Sequence, residues 1–260
     1  MRIAVVQTQP VFGDVAGNIN RALELMQNHR AELFVLPELF NTGYVFADGR
    51  ELKQYCESVE GPTCAQVAKF AQKQGCHVVF GFAERDGSLY NSCALVGPRG
   101  LVGHYRKVHL FDRENTMFTP GNLGFPVFDL PFGKIGLMIC FDWIYPEAAR
   151  SLALAGAQLI AHPSNIVLPH CPDSMIIRCL ENHIFAATTN RVGRESRHGV
   201  DLNFIGKSEV VSPEGKILVR MGEKETGVEV VEADLETALN KRITEHNDLF
   251  AGRRPDQYRL

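Results

Sequence analysis

The 260-residue chain is long enough to bury a core without disulfide or metal staples. Its 45% hydrophobic and 22% charged residues are ordinary globular usage. Lys plus Arg total 27 against 30 Asp plus Glu, a net charge of −3 that argues against a general nucleic-acid binder.

No Gly/Ser linker, charge run or low-complexity block divides the sequence, so one domain over 1–260 is expected. Residues 2–9 read as a strand. Residues 14–30 read as a helix capped by Asp14 or Asn18, with Ile19, Leu23 and Met26 on one face. The wholly apolar 33–37 reads as a strand buried on both faces. A helix over 63–74 follows Gly61-Pro62 and stops at Gly75. Segments 76–84, 89–97 and 100–107 read as successive strands, with hairpin turns at Asp86-Gly87 and Pro98-Arg99-Gly100.

The second half repeats this rhythm. Two strands are expected in 125–140 around Pro131-Phe132-Gly133, then a helix over 145–155, a buried strand over 157–163 and a helix over 174–183. Further strands are expected at 184–193, 204–215, 216–222 and 226–235. About twelve strands and about four or five helices fit two face-to-face sheets with helices outside.

The seven cysteines are odd in number and irregularly spaced, which excludes a complete disulfide framework and points to a cytoplasmic protein. The opening MRIAVVQTQPVFGD has no signal-peptide pattern. No apolar run of about 18 residues is present, so no membrane-spanning helix is expected.

Three strand ends break the apolar pattern. Glu38 follows Leu36-Pro37, where a carboxylate either turns to solvent or is paired or functional. Arg106 and Lys107 end a strand on opposite faces; they are either surface bases or one of them points inward. Cys140 closes the apolar run from Ile135 at a strand-to-helix turn. It reads either as a buried structural thiol or as a nucleophile beside backbone N–H groups.

In order, LPELF, YRKVHLF and MICFDWIYPE resemble the carbon–nitrogen hydrolase family, the nitrilase superfamily. The similarity extends to Pro10–Asn18, Phe118–Gly121, Arg178–Gly193, Gly206–Gly215 and Arg253–Tyr258. It implies an α/β (α+β) fold, a four-layer αββα sandwich, and a Glu–Lys–Cys set that lands on Glu38, Lys107 and Cys140. A second carboxylate often follows the lysine; Glu114, six residues before Pro120, matches it better than Glu147, which reads as a helix-start residue. The resemblance also implies a homodimer or larger assembly, with the tail over 243–260 docked on a partner subunit.

Amides and nitriles are poor electrophiles, and a thiolate splits their hydrolysis into two easier steps. Cys140 is the expected nucleophile and Glu38 the general base, while Lys107 and the Phe141 backbone N–H stabilise the oxyanion. Glu114 orients Lys107 and meets the substrate nitrogen. No metal or organic cofactor enters this cycle. The expected activity is an aliphatic amidase or ω-amidase, because FDWIYPE is closer to amidase-like branches. A nitrilase and an N-carbamoyl hydrolase are the alternatives, and a non-catalytic module with the same fold is the distant one. The partner is a small-molecule amide or nitrile, with no role for nucleic acid or membrane.

Tyr44, Trp143 and Asn165 are the candidate pocket walls. His109 and His162 offer a rival Cys–His pairing, although Glu38 makes a histidine base unnecessary. Gly206-Lys207-Ser208 is not a phosphate loop, since position 201 holds Asp201 rather than glycine. The remaining six cysteines are too scattered for a zinc site. Arg178, Glu181, Asn182, Asn190 and Arg191 read as scaffold or interface groups.

Overall fold

The computed structural model describes residues 1–258. Its first half runs β1 (Arg2–Gln7), α1 (Val15–Gln27), β2 (Leu33–Val35), α2 (Gly49–Tyr55), α3 (Pro62–Gln74), β3 (His77–Asp86), β4 (Ser88–Gly97) and β5 (Gly100–Arg106). The chain continues through β6 (Val127–Leu130), β7 (Gly133–Leu137), α4 (Pro146–Leu154), β8 (Leu159–Pro163), α5 (Cys171–Asn182) and β9 (Phe185–Thr189). It ends with β10 (Val192–Arg197), β11 (Val200–Ile205), β12 (Glu209–Val211), β13 (Ile217–Arg220), β14 (Gly227–Glu232), β15 (Arg242–Thr244) and β16 (Asn247–Asp248).

Two six-stranded sheets form the centre, with strand orders β14-β1-β2-β3-β4-β5 and β13-β12-β9-β8-β7-β6. In each, the three middle strands are parallel and the outer strands antiparallel. Val5, Val35, Val79 and Leu95 of the first sheet meet Ile135, Leu137, Leu159 and Ala187 of the second in one buried cluster. The opposite faces bury against α1 and α3 on one side and against α4 and α5 on the other. This is the expected αββα sandwich: side chains alternate along each strand, and every face finds an apolar partner.

Local chemistry sets the helix ends. Asp14, not Asn18, caps α1 by accepting from the Gly17 N–H; Asn18 lies inside the helix and bonds Val11 and Asn41. Proline opens α3, α4 and α5 in their first turns.

The structure differs from the sequence reading in several places. Sixteen strands are present among the described residues rather than about twelve. Helix α2, capped by Asp48, was not expected, because its seven residues are too few to show a helical period. Helix α5 begins at Cys171, three residues before the expected start at Ser174. The strand expected over 204–215 is broken: Gly206 and Lys207 take positive φ (61° and 58°) and turn the chain out of the β10–β11 ribbon into β12. The Ser208 N–H and hydroxyl then both bond Gln7 Oε1. Among the described residues no helix is long and apolar enough to cross a membrane. Positions 259–260 of the expected docking tail lie outside the described residues.

Candidate active site

The first sheet supplies three charged groups. Beyond β2 the chain stays paired to β3, with the Leu36 N–H on Val79 O and the Phe40 N–H on Gly81 O. A Cβ on Gly81 would lie 2.5 Å from Glu38 Cα, so only glycine lets β3 approach the Glu38 turn this closely. Glu38 is fully buried, and its Oε1 accepts from Asn91 Nδ2 at 2.6 Å and from Lys107 Nζ at 2.7 Å. Its Oε2 has no partner.

Lys107 follows β5 and stays paired to β4 through its N–H on Asn91 O. A Cβ on Gly121 would lie 1.9 Å from the Arg106 carbonyl oxygen, so the return of the chain against this segment requires glycine. Lys107 Nζ donates to Glu114 Oε1 at 2.8 Å as well as to Glu38. Glu114 sits in the 3-10 turn Asp112–Thr116 and accepts the Phe111 N–H on Oε2. Both alternatives for the strand end need correction: Arg106 and Lys107 are both buried. Arg106 is accommodated by a bidentate pair with Glu84 at 3.0 and 2.6 Å, a third contact to Asp86 and the Tyr90 ring.

The second sheet supplies the thiol. Cys140 opens the 3-10 turn Cys140–Ile144 just after β7, with φ +41°. A non-glycine residue in this region costs on the order of 1–3 kcal/mol and needs surrounding structure to hold it. Asp142 does so. Fully buried, it accepts from the Ile139 N–H at 2.8 Å, Tyr105 Oη at 2.8 Å and the His109 N–H at 3.2 Å, and its Oδ1 lies 2.8 Å from His109 Nδ1. His162 Nε2 bonds the Cys140 carbonyl at 2.9 Å and its Nδ1 meets Thr188 Oγ1 at 3.0 Å.

Electrostatics follow from burial. Burial raises the Glu38 pKa, with Lys107 pulling it down and Glu114 adding to the rise. Burial works against the Lys107 charge, yet Glu114 and Glu38 more than offset it and hold the ammonium above its ordinary pKa. Burial and the nearby Glu38 hold the Cys140 thiol well above its usual range, opposed by Lys107 and the Asn165 N–H. The resting site therefore holds a thiol beside a charged lysine. Burial lowers His162 to about 4, so it is neutral near pH 7. His162 faces the Cys140 carbonyl and His109 stacks on Tyr145 at 3.7 Å, an arrangement that disfavours the rival Cys–His pairing.

A small cavity adjoins Cys140, lined by Phe111, Phe141, Trp143, Asn165 and Ile166–Leu168. Trp143 is thus on the wall, with its carbonyl bonded to Arg178 Nε. Tyr44, expected as a wall, does not line this cavity; its hydroxyl donates to Glu114 Oε1 at 2.6 Å. Glu147 is exposed in the first turn of α4, as its helix-start reading implied. Among the described residues no group of three or more His, Cys, Asp or Glu side chains is arranged to hold a metal ion.

Asn91, Asp142 and Glu195 were not singled out in the sequence. Glu195 on β10 accepts the Tyr44 and Val45 N–H groups and pairs with buried Arg191 at 2.6 Å. Each is a polar residue fully or almost fully buried, a signal that appears only once the fold is known.

The family model described as carbon–nitrogen hydrolase matches residues 2–242. A nitrilase of Pyrococcus abyssi is 46% identical over 263 residues, covering 99% of each chain. An omega-amidase of Xenopus tropicalis is 30% identical over 278 residues, covering 99% of this chain and 96% of its own. The crystal structure of a carbon–nitrogen hydrolase from Helicobacter pylori superposes with a TM-score of 0.90 at 27% identity, over 99% of this chain and 97% of its own. On the match over residues 2–242 and these relatives, the chain belongs to the carbon–nitrogen hydrolase family and is a carbon–nitrogen hydrolase enzyme.

Proposed function

We propose that the enzyme hydrolyses the C–N bond of a small aliphatic amide through a Cys140 thioester, releasing ammonia and a carboxylic acid. The observation that carries this reading is the buried Lys107 Nζ, bonded to Glu38 at 2.7 Å and Glu114 at 2.8 Å within electrostatic reach of the Cys140 thiol. Glu38 takes the thiol proton as sulfur adds to the carbonyl carbon. Lys107 and the Phe141 N–H, at the start of a helical turn, stabilise the oxyanion. Glu38 passes the proton to the departing amine, and ammonia leaves. A water then loses a proton to Glu38 and adds to the thioester, and the acid departs as the thiol is restored. Glu114, held by Tyr44, orients Lys107 and accepts from the substrate nitrogen. The small cavity with apolar walls suits a short acyl chain.

The nitrilase reading is supported by the relative from Pyrococcus abyssi that bears that name. There the first adduct is a thioimidate, which takes up water before ammonia leaves. We further infer a single hydrolase domain that works in the cytoplasm as a homodimer or larger assembly. Exposed Ile177 and Leu180 on α5 and the largely exposed tail support a partner subunit.

A panel of short amides and their nitriles tests the reading, with ammonia release and the intact mass of the protein followed together. The wild type is expected to release ammonia and carry an acyl adduct, and Cys140→Ala to do neither. Ammonia release at the wild-type rate by folded Cys140→Ala overturns it.

A further inference from the structure

We propose that the Asn165 side chain selects substrates whose acyl group carries a second, neutral hydrogen-bonding group on its α- or β-carbon, a short aliphatic diamide above all. The inference rests on Cys140 as the reacting group.

Asn165 lies two residues beyond β8, is 3% exposed and lines the cavity at Cys140. Cys140 lines the same cavity. Its side-chain Oδ1 and Nδ2 both lack a hydrogen-bond partner. Burying a primary amide with neither end satisfied is costly and uncommon. The neighbouring Asn190 makes the contrast. Its Oδ1 accepts the Ile166 N–H at 2.8 Å and its Nδ2 donates to Gly206 O at 2.8 Å. Asn190 therefore braces the turn that carries Asn165, and the Asn165 amide bonds nothing in the scaffold.

Position and chemistry narrow the missing partner. The substrate nitrogen faces Glu38 and Glu114, which come from the first sheet, so the acyl side extends toward the turn after β8. Because Asn165 and Cys140 line one small cavity, the Asn165 side chain reaches only the first one or two carbons beyond the reacting one. The rest of that wall is apolar, with Phe111, Phe141, Trp143 and Ile166 among its residues, and neither lysine nor arginine lines it. A carboxylate there would be an unpaired buried charge and would leave Oδ1 without a donor. A carboxamide satisfies both ends, since its oxygen accepts from Nδ2 and its NH₂ donates to Oδ1.

The test compares kcat/KM for malonamide with that for its alkyl isostere 3-methylbutanamide, in wild type, Asn165→Leu and Asn165→Ala. Malonamide is intrinsically more reactive, so the measured quantity is the change in the ratio between variants. The ratio is expected to fall by about tenfold or more in both variants, and the monoacid malonamic acid is expected to be a poorer wild-type substrate than malonamide. Asn165→Ala carries the comparison if the leucine variant does not fold. An unchanged ratio, or a wild-type preference for malonamic acid, overturns the proposal. If wild type turns over neither amide, the amidase reading fails. The Asn165 assignment is then tested by equilibrium binding of the same two amides, where an equal affinity ratio in wild type and variant overturns it.

Discussion

Glu195→Ala removes one carboxylate that serves three groups. Glu195 Oε1 accepts the Tyr44 N–H at 3.0 Å and the Val45 N–H at 2.5 Å, and Oε2 pairs with Arg191 Nη1 at 2.6 Å. The Arg191 side chain is 2% exposed, stacked over the Phe204 ring at 4.1 Å and otherwise bonded only to Pro10 O. Truncation therefore leaves a buried guanidinium without its counter-charge, a loss of about 3–5 kcal/mol. At about 2–4 °C per kcal/mol for a chain of this size, Tm falls by roughly 6–20 °C. The Tyr44 loop also loses its acceptor, and Tyr44 holds Glu114, which holds Lys107. A shift of about 1 Å in such a chain costs up to about 100-fold in kcat. Two double variants separate the effects. Arg191→Met/Glu195→Ala removes the stranded charge and is expected to recover stability but not kcat. Arg191→Met/Glu195→Gln keeps an oxygen for the Tyr44 and Val45 N–H groups and is expected to recover both. Urea unfolding at fixed protein concentration and steady-state kinetics read the two quantities. A loss below about 1 kcal/mol in Glu195→Ala, or equal recovery of kcat in the two double variants, refutes the reasoning.

In the proposed mechanism Glu38 must be ionised to accept the thiol proton, and burial raises its pKa above the ordinary 4.5. The acid limb of kcat/KM is therefore expected above that value, with activity lost as pH falls through it. Glu38→Gln is expected to lower kcat/KM by about 10²–10⁴ and to abolish the limb; a limb that persists in this variant contradicts its role. His162 provides a stability test: burial depresses it from 6.5 to about 4. The unfolded chain binds its proton near 6.5 and the folded chain only near 4, so stability is present above 6.5 and lost as pH falls toward 4. The loss is at most about 3 kcal/mol. His162→Gln is expected to flatten unfolding free energy across that window, and an unchanged slope counts against a neutral buried imidazole.

The strands and long helices were legible because their apolar periods are local. Residues 33–37, 76–84 and 157–163 announce buried strands without reference to anything distant. The strand ends drew attention to Glu38, to the Arg106-Lys107 pair and to Cys140 but left a plain structural reading open for each, and the family resemblance selected Glu38, Lys107 and Cys140. Glu114 has no such mark, since it lies in a short polar turn, and only the spacing in the family resemblance identified it. The groups that hold these residues were not legible. Asn91 acts on Glu38 across 53 positions and Glu195 on Tyr44 across 151. A sequence period encodes which face is buried, not which polar group on another strand will meet it. The break after Ile205 was hidden for a different reason: the chain turns at Lys207, a residue type with no preference for positive φ.

The site divides along the sandwich. Glu38, Lys107 and Glu114 hang from the first sheet, while Cys140 and Asn165 follow β7 and β8 of the second. Each half alone is electrostatically poor. The first holds two carboxylates around one ammonium, and the second holds a thiol that burial keeps protonated. In the proposed mechanism, only the meeting of the sheets lets Lys107 act on the sulfur and Glu38 take its proton. Tyr105 fixes that meeting: it rises from β5 two residues before Lys107 and donates to Asp142 at 2.8 Å, two residues after Cys140. Asp142 in turn accepts the N–H of Ile139, the residue before Cys140. One buried carboxylate thus ties the strained turn at Cys140 to the strand that leads to Lys107.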